Sequence, residues 1–299
     1  MTSQETELLR ELEGVEERTR FALLREFWRR YRRNRAAVAG LVMLLGFIAS
    51  ALLADYYPHN PIRQDLANAL SPPSPEHPLG TDQLGRDVLS RILHGSRMSL
   101  LVGLAAVSFG AAIGVVLGLL SGYFSRWVDM VVQRVTDVLL SFPTFLLALS
   151  LVAMLGVGLQ NVIISVGVTA VPVFTRLVRA SVLTIREMHY IEAARALQLP
   201  SYVIMFRHVL PNALSPVIVQ ATLYMGTAIL VAAGLGFLGV GVQPPTPEWG
   251  QMLGEYYLYI FSQQHLVLAP GLAIFLTVLS FNLIGDGLRD ALDPRMRLL

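Results

Sequence analysis

Residues 98–125 read MSLLVGLAAVSFGAAIGVVLGLLSGYFS, and no Asp, Glu, Lys or Arg interrupts them. A helix needs about 20 apolar residues to cross the hydrocarbon core of a bilayer, so this stretch by itself implies a membrane span. Within it, glycines recur at every fourth position: Gly110, Gly114, Gly118 and Gly122. Four bare positions on one helix face let a second helix approach closely, and these residues are expected at a helix–helix contact.

Four more stretches lack acidic and basic residues: 36–54, 138–175, 209–247 and 256–285. Residues 36–54 and 256–285 each suit one span. Residues 138–175 suit two, because Gly156-Val157-Gly158-Leu159-Gln160-Asn161 forms a turn signal at their middle. Residues 209–247 hold one span and the breaker-rich tail Gly239-Val240-Gly241-Val242-Gln243-Pro244-Pro245. The expected fold is therefore all-α, a polytopic membrane protein with six transmembrane helices. Composition agrees: 15% of residues are charged, against about 25% in an ordinary soluble chain. Prolines at 143, 172, 216 and 270 fall in or near other spans, where kinks are tolerated.

All 23 basic residues are arginine. A P-loop needs its lysine to reach the β- and γ-phosphates, so this chain cannot form one. The absence of cysteine excludes disulfides, thiol nucleophiles and cysteine metal sites.

The arginines also set orientation. With both termini in the cytoplasm, nine arginines up to and including Arg35 face inward, with Arg126, Arg134, Arg176, Arg179, Arg186, Arg195, Arg207, Arg289, Arg295 and Arg297. Only Arg63, Arg86, Arg91 and Arg97 then face outward, as the positive-inside rule requires. The chain divides into an N-terminal segment 1–35, a first span 36–54, an external loop 55–97, a core of five helices over 98–286 and a tail 287–299. Within the N-terminal segment, Phe21, Leu24, Phe27, Trp28 and Tyr31 at helical spacing among arginines predict an interfacial helix over 19–33. The length of the charged lead and of the following run argues against a cleaved signal peptide.

Between the fourth and fifth spans lies a polar segment, 186–211, beginning Arg186-Glu187-Met188-His189-Tyr190-Ile191-Glu192-Ala193-Ala194-Arg195-Ala196-Leu197-Gln198-Leu199-Pro200. Ile191, Ala194, Ala196 and Leu197 can form the apolar side of a short helix, Pro200 interrupts it, and Ser201 can cap a second. From the residues alone this is either a helical pair that inserts into a cleft on a partner or a surface loop rich in helix formers.

The segment resembles the EAA loop of the permease subunits of bacterial binding-protein-dependent ABC importers. The matching positions are Glu192, Ala193 and Ala194, followed by Arg195 and Leu197, with Leu210-Pro211 closing the motif. The family usually has glycine four positions after the second alanine, where this chain has Gln198. More of the chain is similar to the dipeptide, oligopeptide and nickel branch, and within it to the second, C-type subunit. The similar stretches are Leu79-Gly80-Thr81-Asp82-Gln83-Leu84-Gly85-Arg86-Asp87-Val88-Leu89-Ser90-Arg91, Ser141-Phe142-Pro143, the run from Phe237 to Gly250, and the run from Asn282 to Asp290. Together the resemblance covers roughly residues 25–297.

This resemblance implies a type I importer permease in the bacterial inner membrane. It implies a second permease subunit, two ATPase subunits that bind ATP and magnesium, and an external solute-binding protein. The coupling segment would meet the ATPase, and Gly80, Thr81, Asp82, Gly85, Arg86 and Asp87 would form a structured external loop. No cofactor on this chain and no nucleic-acid partner is implied. Peptides are the expected solutes, with nickel or another small solute as the alternative.

Other readings are weaker. The Gly80–Asp87 run lacks the spacing of a calcium loop, and His94, His189, His208 and His265 fit no zinc motif, so no metal site is assigned. Trp249, Tyr256, Tyr257, Tyr259 and Phe261 suit an aromatic belt near the outer end of the last span. Asp137 and Asp286 sit where arginine partners are near, and Gln160, Asn161, Gln220 and Asn282 are candidate pathway groups. The apolar runs hold no mid-depth ionisable group for an ion-coupled carrier, and no paired catalytic residues for an intramembrane enzyme.

Overall fold

The computed structural model describes residues 25–124 and 126–292. Residues 1–24, Ser125 and 293–299 lie outside it, and with them the first part of the expected interfacial helix and most of the tail. Among the described residues the fold is helical, and its sole β contact is the isolated pair Thr81–Asp87.

Among the described residues, 25–33 are helical, in line with the second part of the expected interfacial helix, and nine further principal helices follow in order. They are α1 (Arg35–Leu53), α2 (Val88–Phe124), α3 (Arg126–Leu140), α4 (Thr144–Leu155), α5 (Leu159–Ile185), α6 (His189–Ala196), α7 (Leu210–Phe237), α8 (Trp249–Tyr256) and α9 (Gln264–Leu292). Five helical segments are long and apolar enough to span: 35–56, 88–124, 159–185, 201–237 and 264–292. A sixth crossing exists if the bent pair α3–α4 counts as one span.

That pair departs from the sequence-based expectation of a regular third span beginning at 138. The chain turns by 94° between α3 and α4. With 12 residues, α4 is about 18 Å long, well short of the ~30 Å hydrocarbon core. The break falls at Ser141-Phe142-Pro143, where Pro143 is the N-cap of α4. Proline has no N–H and disfavours helical backbone before it, so it starts a helix more readily than it continues one. The preceding α3 is amphipathic and pins its polar side to its neighbours: Arg179 donates to both Asp129 carboxylate oxygens at 2.6 Å, and Arg176 pairs with Asp137 at 2.6 Å.

In lipid, burying one apolar helix against another gains little from water release, so packing density decides association. The tightest pair is α2 with α5, running parallel. Gly110 faces Ala170, Gly114 faces Phe174, Gly118 faces Val178 and Gly122 faces Val182, a constant offset of 60 positions. A Cβ at any of the four would come within 2.5–2.8 Å of a facing atom. The outer helices pack antiparallel: Gly40 of α1 abuts Ser280 and Leu283 of α9, and Gly287 abuts Ala37 and Tyr31. Asn34 donates to Asp290 at 3.2 Å, so the chain enters α1 and leaves α9 at the same end of the bundle. That end also carries α6, since Arg186 donates to the Gly122 carbonyl at the C-terminal end of α2. The loop 55–87 and α8 lie at the opposite end, around Val88 and Phe237.

Candidate functional site

The segment 186–211 is built as a knuckle. Its helix α6 turns Ile191 and Ala194 into the core, where they join Ile185, Ile204, Met205 and Val209. Glu192, Ala193, Arg195 and Gln198 are exposed. Ala196 and Leu197, expected on the apolar inner side, are instead exposed, Leu197 to 75%. At about 100° per residue, positions 196 and 197 fall away from the face shared by Ile191 and Ala194.

The end of α6 is closed by two backbone bonds. Leu199 N–H donates to the Ala194 carbonyl at 3.2 Å, and Gln198 N–H donates to the Arg195 carbonyl at 2.9 Å. This pairing requires a left-handed residue after the cap, and Gln198 adopts φ +56°. The turn is thus the one a glycine would make, held by a residue with a Cβ at a cost of roughly 1–2 kcal/mol. Pro200 then caps a continuous helical stretch from Ser201 to Phe237.

Pro211 would break that stretch, because its ring collides with the carbonyl four residues back. Residues 204–209 widen into π geometry just before it, with Leu210 N–H reaching the Met205 carbonyl. The wider turn absorbs the proline and keeps the helix running. Leu210 is half-buried and Pro211 exposed, and the next residue, Asn212, donates to the Tyr190 hydroxyl of α6 at 3.3 Å.

At the opposite end the motif Gly80–Asp87 forms a knot. Gly80 and Gly85 both have φ +72°, and a Cβ at Gly85 would lie 1.7 Å from the Asp65 carbonyl oxygen. Asp82 is fully buried; its Oδ1 accepts from Leu84 and Arg86 N–H at 2.9 and 3.0 Å. Its Oδ2 accepts from Arg86 Nε at 2.6 Å and from the Tyr256 hydroxyl at 3.2 Å. Glu255 Oε2 accepts from Arg86 at 2.7 Å and from the fully buried Arg91 at 3.0 Å. Burial opposes the charge on Arg86, but Asp82 and Glu255 outweigh it and raise the guanidinium pKa. Burial also pushes the Tyr256 phenol far above its ordinary value, so it remains a hydrogen-bond donor. Thr81 hydroxyl donates to the Asn68 carbonyl and accepts from Ser71 N–H, which ties the proline-rich loop to the knot.

Of the two carboxylates in that run, Asp82 is therefore engaged with arginine, and Asp87 is paired with His77. The knot clamps the loop 55–87 onto α8, whose N-cap Glu248 accepts from Gly250 N–H and Gln251 N–H at 2.9 Å. Burial raises the Glu248 carboxyl pKa, although these bonds and one from Ser99 favour its ionised form. Trp249 and Tyr256 correct the aromatic-belt reading. Both are fully buried; Trp249 donates to the Ile92 carbonyl at 3.0 Å and packs edge-on to Phe47. Tyr257 and Phe261 remain exposed. Asn161 donates to the Leu155 and Gly156 carbonyls, so it closes the α4–α5 turn.

The family described as "Binding-protein-dependent transport system inner membrane component" matches residues 114–298, and "N-terminal TM domain of oligopeptide transport permease C" matches residues 22–73. The chain belongs to the family of binding-protein-dependent transport permeases. The dipeptide transport system permease protein DppC of Alkalihalophilus pseudofirmus is 48% identical over 279 residues, covering 91% of this chain and 90% of that protein. The glutathione transport system permease protein GsiD of Pectobacterium atrosepticum is 46% identical over 277 residues, covering 91% of each. Among solved structures, a chain of the inward-facing MetNI methionine ABC transporter aligns with a TM-score of 0.54 at 24% identity. That alignment covers 68% of this permease and 96% of the other chain, and it shows a shared fold of the ABC importer type.

Proposed function

We propose that this permease is the C-type subunit of a peptide importer and that separate ATPase subunits energise it through the segment 186–211. The observation that carries the reading is the knuckle itself. Ile191 and Ala194 anchor α6 to the bundle, while Leu197, Tyr202 and Phe206 stay exposed beside Glu192, Ala193 and Arg195. Large apolar side chains left uncovered at the end of a short helix and on the first turns of the next suit insertion into a groove on another protein. Because α6 is rooted at the ends of α5 and α7, a push on it is transmitted along two spans.

The absence of lysine supports assigning ATP and magnesium to two partner ATPase subunits and none to this chain. A second permease subunit would complete the pathway, and an external solute-binding protein would deliver solute at the end bearing the knot. The arginine distribution supports a bacterial inner-membrane location with both termini cytoplasmic, 36–54 as the first span, 55–97 outside and 98–286 as the core. Peptide is favoured as solute because the relatives above are named for dipeptide and glutathione transport, and glutathione is itself a peptide.

The test is ATP-dependent uptake into vesicles carrying the assembled transporter. Leu197→Asp should lower uptake of labelled dipeptide or glutathione at least tenfold while the permease pair still assembles. Wild-type uptake by that variant would reject the docking role. Uptake of a nickel complex with no peptide uptake by the unaltered transporter would reject the solute.

A further inference from the structure

Three residues far apart in the usual motif sense converge beside the external knot. His77 Nδ1 lies 2.8 Å from Asp87 Oδ2, and the His59 and His77 rings lie 4.7 Å apart, centroid to centroid. One ligand atom from each of His59, His77 and Asp87 lies within 4.8 Å of the others. We infer that His59, His77 and Asp87 form a binding site for a divalent transition metal of the zinc class on the outer face of the permease.

Three features favour a built site. The first is electrostatic: Arg86 and Arg91 are engaged by Asp82 and Glu255, so the ion pair of the buried Asp87 carboxylate is with His77. A carboxylate withdrawn from water needs a compensating positive charge, and a bound dication supplies it. The second is rigidity. Asp87 Oδ1 accepts from Ser90 N–H at 2.6 Å, which leaves Oδ2 turned to the imidazoles. The His59 carbonyl accepts from the Ser90 hydroxyl at 2.6 Å, and the His77 carbonyl accepts from Gly80 N–H at 2.8 Å. All three ligand-bearing backbones are thus anchored before any metal arrives.

The third is ligand chemistry. Two imidazoles and one carboxylate suit zinc and its neighbours rather than calcium or magnesium, which prefer oxygen alone. Metal–ligand bonds of about 2.0–2.2 Å place tetrahedral ligands roughly 3.4 Å apart. With the three ligand atoms within 4.8 Å of one another and His77 Nδ1 at 2.8 Å from Asp87 Oδ2, the widest pair has to close by up to about 1.4 Å and the His77–Asp87 pair to open by about 0.6 Å to reach that geometry, and a fourth position stays open to water or to a partner's side chain. A metal there would fasten the loop carrying His59 and His77 to the start of α2, at the surface where an external partner would meet the permease.

The full chain, purified in detergent without a polyhistidine tag, is titrated with zinc chloride against a chromophoric chelator. With no cysteine and six histidines in the chain, competing sites are few. We expect one tight equivalent per chain, with affinity reduced at least tenfold by His59→Ala and by His77→Gln. His59→Ala retains the His77–Asp87 contact, so its size-exclusion profile should match wild type and its loss of zinc would not reflect unfolding. Cobalt should give an intense visible absorption in the wild type that His59→Ala abolishes. Unchanged zinc affinity in His59→Ala overturns the assignment. So does failure of the wild type to bind one equivalent, or loss of the tight site in His189→Ala instead.

Discussion

Gly114→Ala in α2 opposes two effects of opposite sign, and the structure decides between them. In an exposed helix, replacing glycine by alanine stabilises by about 1 kcal/mol through backbone entropy. At Gly114, however, the new methyl would lie 2.5 Å from Phe174 Cβ, 2.8 Å from the Val171 carbonyl oxygen and 3.1 Å from Thr175 N. None of these can rotate away, since all are backbone atoms or a Cβ. Relief to a normal contact of about 3.5 Å requires α2 and α5 to part locally by roughly 1 Å. A gap of that size forfeits about a quarter to a half of each facing dispersion contact, and overpacking of this kind costs about 1–3 kcal/mol. Gly46 of α1 is the control, because a Cβ there meets nothing within 4 Å. Thermal unfolding in detergent should therefore show Gly114→Ala lowering Tm by several degrees and Gly46→Ala raising it slightly, at about 2–4 °C per kcal/mol. An unchanged or raised Tm for Gly114→Ala would refute close α2–α5 packing as the basis of the bundle.

Four further outcomes are expected. Gln198→Gly should relieve the left-handed strain at φ +56° and stabilise the α6 turn by about 1 kcal/mol; slower hydrogen exchange over 189–199 checks it, and faster exchange contradicts it. Arg91→Met should cost about 3–5 kcal/mol by leaving buried partners of the knot uncompensated, read as a large fall in Tm and greater protease sensitivity of residues 57–79. Glu248 has a raised carboxyl pKa, so its contribution is fully present below its ordinary value of 4.5 and is lost as pH rises through the raised value. The Tm of the wild type relative to Glu248→Gln should accordingly fall as pH rises above 4.5, and a difference independent of pH would exclude that titration. Single cysteines at Gln160 and Phe261, both exposed, should react with an impermeant thiol reagent from outside, while one at Gln198 should react only after the inner membrane is opened; external labelling of position 198 would overturn the topology.

Much of the architecture was legible because a bilayer imposes a length and a polarity that show in one dimension. Uncharged runs marked the spans, and the four-residue spacing of Gly110 to Gly122 marked a bare helix face. The broken third crossing was less visible: hydropathy is continuous through Ser141-Phe142-Pro143, and the 94° turn follows from backbone sterics at Pro143. At the knuckle, residue types suggested an apolar side of four residues, but only Ile191 and Ala194 share the buried face, and Ala196 and Leu197 lie outside it. Gln198 shows that the turn geometry persists without glycine, which no composition rule would indicate.

Composition and order alone determined that this chain spans a membrane and cannot bind ATP through a P-loop, and they placed a polar segment, 186–211, between two apolar runs. Partition into lipid and chemical absence are properties of local sequence. Which side chains meet was decided only by the tertiary structure. Asp82, Arg86 and Arg91 find Glu255 and Tyr256 about 170 positions away, and His59 and His77 meet at Asp87 beside them. Such contacts depend on the backbone path of the loop between α1 and α2. That path follows from Gly80 and Gly85 in left-handed turns and from a buried charge network that no local period encodes.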